Sequence, residues 1–242
     1  MKRNVLFLFI TLLLFAAACL GQSVVVTRKT VKYKRPKPTM DFKKTFTINY
    51  PMVKARTPAL SKKIERAISP LTVLGISIKE EMGEYQWLED ADYEVKYNAN
   101  GVICVDLSMQ GTAAYPTSIY KTVVVDTKTG VVATPNSVFQ NIPGLVAMIK
   151  KYQKEEITTA IAEIKEDPEN QEPNPEELFK YSDFKALNLN GFGVSADGVM
   201  FKYSYGFPRV IQAFEPSGVF SYTWAQIKPY IKRGGLLARI AR

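Results

Sequence analysis

The sequence predicts an α+β fold: an antiparallel sheet of hairpins with helices packed on one face. Three observations point there. Asn100-Gly101 and Asp197-Gly198, residues that tolerate positive φ, each sit between runs in which apolar and polar residues alternate, the pattern of tight hairpins. From Ile142 to Ile164 the period changes to that of a helix, with Leu145, Val146, Ile149, Tyr152, Ile157, Ile161 and Ile164 forming a stripe. Over 242 residues, 46% hydrophobic and 23% charged content is that of a globular chain able to bury a core without disulfide or metal.

The N-terminus reads as targeting rather than fold. Lys2 and Arg3 precede an apolar run from Val5 to Phe15, followed by Ala16, Ala17, Ala18 and Gly21. Residues 1–21 are therefore expected to be a bacterial secretory signal, since the run is too short to span a bilayer comfortably. Two processing routes stay open. Ala16-Ala17-Ala18-Cys19 fits a lipoprotein signal, with Cys19 acylated as a membrane anchor; cleavage after Gly21 leaves Gln22 first. Either route leaves no second cysteine in the chain to form a disulfide with Cys104. The expected location is extracytoplasmic, in the periplasm or cell envelope of a bacterium.

Residues 22–41 turn strongly basic, with Arg28, Lys29, Lys32, Lys34, Arg35 and Lys37 against the single acid Asp41. They are expected to form a basic linker, either merely solvated or attracted to an anionic envelope. Residues 42–242 are expected to form a single α+β extracytoplasmic domain. Its first strand is Phe42 to Val53, ending near Pro51. Thr57 then caps a helix that opens with Pro58, buries Leu60, Ile64, Ala67 and Ile68, and stops at Pro70. Glu80, Glu81, Glu84, Glu89, Asp90, Asp92 and Glu94 around Trp87 read as a polar surface, or alternatively as paired acid and base.

From Tyr93 a strand runs to Asn100-Gly101 and returns with Ile103, Val105, Leu107 and Met109 on one face and Cys104, Asp106, Ser108 and Gln110 on the other. Tyr120 to Val132 reads as a second strand pair turning at residues 126–130. Glu163 to Glu177 is an acidic, proline-broken connection without a calcium-loop pattern. Phe192 to Tyr205 forms the second hairpin. Val210 to Phe214 is expected to be extended, and Thr223 to cap a short helix ended by Pro229.

The chain has no histidine, which excludes Ser-His-Asp and Cys-His catalysis and HExxH zinc proteases. A single cysteine after the signal excludes zinc ribbons and CxxC redox centres, and no phosphate-binding glycine loop is present. No cofactor and no metal are expected. The net charge of +9, of which Lys2 and Arg3 supply two, favours anionic wall polymers or lipid headgroups, whereas export disfavours nucleic acid.

GVMFKYSYGFPRVIQAFEPSG followed by IKPYI, with INYPMV, YNANGVICVDL and VVVDTKTGVVATPNSVFQN upstream, resembles a family of bacterial extracytoplasmic domains of largely unknown function. Its members include the lysozyme-sensing outer domain of an anti-sigma factor and the accessory region of peptidoglycan deacetylases. The resemblance spans Phe42 to Ile231 and implies an α+β domain working outside the cytoplasm. It transfers no site residues. The function expected is non-catalytic binding of a cell-wall fragment or an envelope protein, lysozyme-like proteins included; the rival is a carboxylate-dependent hydrolase acting on wall glycan. Tyr203, Tyr205, Phe207 and Arg209 are the candidate contact surface, aromatics beside an arginine at a strand break, against the plainer reading that they pack the sheet.

Overall fold

The computed structural model describes residues 23–40, 43–166 and 174–241. The expected signal segment, Cys19, Asp41, Phe42 and the middle of the acidic connection lie outside the described residues. The fold is mixed α+β, as expected. The chain divides into two compact units, one through Ala133 and one from Thr134, a boundary the sequence did not mark.

The first unit is a six-stranded sheet in the order β1-β2-β3-β4-β5-β6. Its strands are β1 (Val25–Lys34), β2 (Thr45–Lys54), β3 (Leu88–Ala99), β4 (Val102–Thr112), β5 (Pro116–Asp126) and β6 (Val131–Val132). All neighbours are antiparallel except β2 and β3, which run parallel through Thr47↔Asp90 and Ile48↔Ala91. A parallel pair needs a crossover. Helices α1 (Pro58–Ala67), α2 (Pro70–Val73) and α3 (Ile78–Glu81) supply it.

The expected basic linker is instead an edge strand. β1 pairs with β2 along its whole length, from Val25↔Lys54 to Lys34↔Thr45. Val26, Val31 and Tyr33 are half-buried, Val26 and Tyr33 each against a core, while Arg28, Lys29, Lys32 and Lys34 are exposed. Charge count pointed to a solvated segment, but alternation with a few apolar residues suffices for a strand, and lysines on an edge discourage pairing with other chains. Arg35, at its end, is buried. Its guanidinium bonds Glu81 Oε2 at 2.6 Å and the carbonyls of Glu81, Lys43 and Leu88 at 2.7, 3.0 and 2.7 Å, and lies over the Phe46 ring.

β2 continues past Pro51. Val53, of the same parity, sends its N–H to Glu65 Oε1 at 2.8 Å, away from β1. The missing N–H of Pro51 therefore falls on the side where β3 has already diverged, and no ladder bond is lost. β3 begins at Leu88 rather than Tyr93, because Leu88 and Ala91 are buried and anchor it earlier. The hairpin at Asn100-Gly101 forms with φ of 54° and 78°. β5 starts earlier than expected and pairs chiefly with β4, touching β6 at Val125 and Asp126 only.

α1 is capped as expected, Leu60 N–H donating to Thr57 Oγ1 at 3.2 Å. Its Ile64 and the following Ile68 enter a core of Val53, Ile103, Val105, Leu107, Val123 and Val125. A second core joins Phe46, Ile48, Leu88 and Ala91 to Leu71, Ile76, Ile78 and Met82. Cys104, on the face expected to be polar, is 1% exposed.

The second unit contains α4 (Pro135–Val138), α5 (Ile142–Glu166), α6 (Pro175–Phe179), α7 (Trp224–Ile227) and the antiparallel sheet β7 (Gly193–Val194), β8 (Gly198–Lys202) and β9 (Val219–Thr223). α5 buries Leu145, Ile149, Gln153, Ala160 and Ile164, a stripe stepping mostly by four, whereas Tyr152 is exposed. Arg209–Phe214 is a 3-10 turn, not extended chain. Spacing by three places Ile211 and Phe214 together against Phe207, which an extended path cannot do. Thr223 caps α7 reciprocally with Gln226, and Pro229 follows its end. Among the described residues no helix is long and apolar enough to cross a membrane.

Candidate functional site

The first unit carries a groove of 590 Å³ where the helical face of β1–β2 meets α1 and α2. Antiparallel pairing puts cross-strand partners on one face, so Lys29↔Tyr50 and Tyr33↔Phe46 share a side of the sheet. Lys29, Tyr33, Tyr50 and Met52 line the groove from the strands; Lys62, Glu65 and Arg66 line it from α1. Positions 62, 65 and 66 recur at helical spacing, which brings one face of α1 over the strands. A groove of this volume suits a small organic ligand or one segment of a polymer.

Its electrostatics are one-sided. Lys29, Lys62 and Arg66 make no ion pair among the described residues, and Glu65, the one carboxylate in the lining, is engaged by the Val53 N–H. The Tyr33 and Tyr50 hydroxyls share a hydrogen bond of 2.8 Å, and Tyr33 stacks on Phe46 with ring centroids 4.8 Å apart. Burial, then the bond to Tyr33, raises the Tyr50 phenol above its ordinary range. Tyr50 therefore stays a neutral hydroxyl beside three cations, available to donate or accept but never to contribute negative charge.

The acids from Glu80 to Glu94 do not line this groove. Glu81 bonds Arg35, Glu89 bonds Lys43 at 3.1 Å, Asp92 pairs with Arg28, and Glu94 with Lys96 at 2.6 Å. Against the cost of burial, bonds from Thr112 and Lys43 hold the Glu89 carboxyl below its usual range. Burial and the neighbouring Asp92 push Asp90 up. Glu81, Glu89, Asp92 and Glu94 are thus each engaged by a cation of their own. Among the described residues no group of three metal-ligating side chains assembles.

The four residues singled out at the strand break lie in the second unit. Phe207 is 8% exposed and packs on Phe179 at 5.0 Å; Tyr205 meets the same ring edge-on at 5.5 Å. Tyr203 is half-buried between Phe184 and Tyr205. Arg209 is exposed. The three aromatics come together as a packed cluster under α5 and α6, and Arg209 stands outside it. The groove was missed in the sequence because β1 read as linker, which left Lys29 and Tyr33 without a sheet to face. The alternation Lys29, Val31, Tyr33 was the available signal.

The fold has solved counterparts. A DUF3298 family protein from Pseudomonas aeruginosa PAO1 is similar with a TM-score of 0.55 and 14% identity, over 88% of this chain and 96% of that one. A member of the same family from Bacteroides fragilis is similar with a TM-score of 0.51 and 12% identity, over 90% and 98%. At such identity the likeness carries the fold alone, that of bacterial proteins in a family of unknown function. No family model matches the sequence, and no curated protein matches it.

Proposed function

We propose that this protein is a non-catalytic binding protein of the bacterial cell envelope, whose groove between β1–β2 and α1–α2 takes an anionic segment of a cell-wall fragment. The observation that supports this is the lining itself: three cations with no ion pair among the described residues and two tyrosine hydroxyls around 590 Å³, with the one carboxylate already engaged. Cations select a carboxylate- or phosphate-bearing ligand, the phenols hydrogen-bond its hydroxyls, and Val31, Met52 and Leu71 cover its apolar faces. The residues at the N-terminus support export, with Cys19 as lipid anchor or removed with the signal. An envelope protein, lysozyme-like ones included, is the alternative partner for the same basic surface.

Retention on purified peptidoglycan at low salt, measured alongside lysozyme, tests the reading. Wild-type protein is expected to be retained, with release as salt rises. Lys62→Ala/Arg66→Ala is expected to lose about tenfold in affinity, as two desolvated charge contacts of roughly 0.7 kcal/mol each would give. Failure of the wild-type chain to bind either material at low salt ends the proposal. Unchanged retention of the double variant removes the groove from it. Loss of membrane association in Cys19→Ser separates the anchor from simple secretion.

A further inference from the structure

The second unit has a cavity of its own, and its chemistry differs from that of the groove. Segment Asn136–Gln140 is laced to Pro229–Lys232. Gln140 N–H donates to the Tyr230 carbonyl at 2.7 Å, Gln140 Nε2 to the Pro229 carbonyl at 3.1 Å, and Lys232 N–H to the Val138 carbonyl at 2.9 Å. Beside this lacing, the turn after α7 and the terminal 3-10 turn Leu236–Arg239 border a half-open cavity of 440 Å³. Ala225, Ile231 and Ala238 contribute apolar walls; Lys228, Lys232 and Arg233 contribute cations; no acidic residue lines it.

The imbalance extends through the sequence. From Pro216 to Arg242 there is no Asp or Glu, while Lys228, Lys232, Arg233, Arg239 and Arg242 are basic. Lys232 is held, its Nζ donating to the Asn136 carbonyl at 2.6 Å. Lys228 and Arg233 are exposed and make no ion pair among the described residues. Gly234, at φ 72°, turns the chain directly after Arg233, so the basic pair is followed by a reversal rather than by an extended tail. Three like charges around one apolar-walled cavity repel one another and focus a positive potential into it.

We infer that this cavity is a binding site for a phosphate-type oxyanion, distinct from the groove of the first unit. A compact, multiply charged anion fits the lining better than a sugar does. No tyrosine stands in the wall to meet a sugar, whereas Arg233 offers a planar fork matched to paired oxygens and Lys228 and Lys232 add point charges. The phosphate is carried either by a soluble or polymer-borne phosphoester or by a lipid headgroup. The inference does not depend on the proposed function, since none of its residues lines the groove.

Isothermal titration of the full chain with inorganic phosphate, against chloride at matched ionic strength, is the test. Saturable heat with phosphate alone is expected. Lys228→Ala/Arg233→Ala should weaken it at least tenfold with an unchanged circular dichroism spectrum, and Lys54→Ala/Lys128→Ala, exposed lysines that line neither cavity, should leave it intact. Equal response to chloride, full affinity in Lys228→Ala/Arg233→Ala, or loss in Lys54→Ala/Lys128→Ala each overturns the inference. Two further arms identify the carrier. Binding to phosphatidylglycerol vesicles that inorganic phosphate displaces, and that the first double variant loses, points to a headgroup; binding of glycerol phosphate without vesicle binding points to a soluble or polymeric phosphoester.

Discussion

The Tyr205 hydroxyl donates to Glu156 Oε2 at 2.7 Å, while Oε1 of the same carboxylate accepts from Ser217 Oγ at 2.8 Å and from the Gly218 N–H at 3.1 Å. One half-buried side chain on α5 thus clamps both ends of the irregular stretch between β8 and β9. Burial, then the bond to Glu156, raises the Tyr205 phenol, so the hydroxyl keeps its proton through the alkaline range. Tyr205→Phe is expected to cost about 1–2 kcal/mol, and Glu156→Ala more, because three donors lose their acceptor. Urea unfolding measures both.

Tyr222 predicts the opposite sign for the same substitution. Its hydroxyl is buried without a hydrogen-bond partner among the described residues, and its ring meets Tyr152 edge-on at 5.4 Å. Removing an unsatisfied buried hydroxyl relieves a desolvation penalty, so Tyr222→Phe is expected to be neutral or to stabilise by about 1 kcal/mol. Comparing the two Tyr→Phe variants in one denaturant series checks the contrast directly.

Arg35 bridges β1, α3 and β3 from a side chain fully withdrawn from solvent. Arg35→Ala leaves Glu81 and several carbonyls without their donor and is expected to cost about 3–5 kcal/mol. Arg35→Lys recovers little of this, since one ammonium cannot reach acceptors set out for a planar fork. Thermal unfolding of the two variants reads the difference.

Asp90 gives the pH dependence. Its carboxyl is raised by burial and by Asp92, so the folded state holds the proton more tightly than the unfolded chain. The associated stability is therefore full below the unfolded carboxylate pKa and is lost as pH rises through the raised folded value. Asp90→Asn is expected to raise Tm at neutral pH and to leave it unchanged near pH 3, by calorimetry at both.

Gly218 sits at φ 60°, and a Cβ there would meet the Tyr203 carbonyl oxygen at 1.9 Å. Gly218→Ala is expected to cost upwards of about 2 kcal/mol, from backbone strain and the forced displacement of Tyr203. A lowered urea midpoint with unchanged slope would show it.

Local signals carried the fold class. Asn100-Gly101, the Thr57-Pro58 cap and the α5 helix are each decided by residues a few positions apart, and each forms where read, although Tyr152 leaves the buried stripe. What the sequence concealed was non-local. β1 is a strand because β2 lies beside it, and Gln153 is buried because its Oε1 accepts the Phe184 N–H at 2.9 Å. The parallel β2–β3 pair leaves no mark on either strand. The groove is hidden for the same reason: its cations come from β1 and α1, which meet only once the sheet has formed. The aromatic strand break was conspicuous because large rings are easy to see, and they pack a core.

The start of β1 also sets a height. Ser23 N–H bonds the Asn98 carbonyl at 3.3 Å, its Oγ accepts from the Gly101 N–H at 2.8 Å, and Val24 N–H bonds Asn98 Oδ1 at 3.2 Å. The chain is therefore fastened to the β3–β4 turn from residue 23 onward. On the lipoprotein reading of Cys19, four residue steps remain between acyl group and sheet, a reach of at most about 14 Å. The first unit would then ride directly on the bilayer instead of ranging through the envelope on a leash. A fluorophore at Asn100 would be quenched by headgroup-labelled lipid, and inserting a flexible spacer before Ser23 would abolish the quenching.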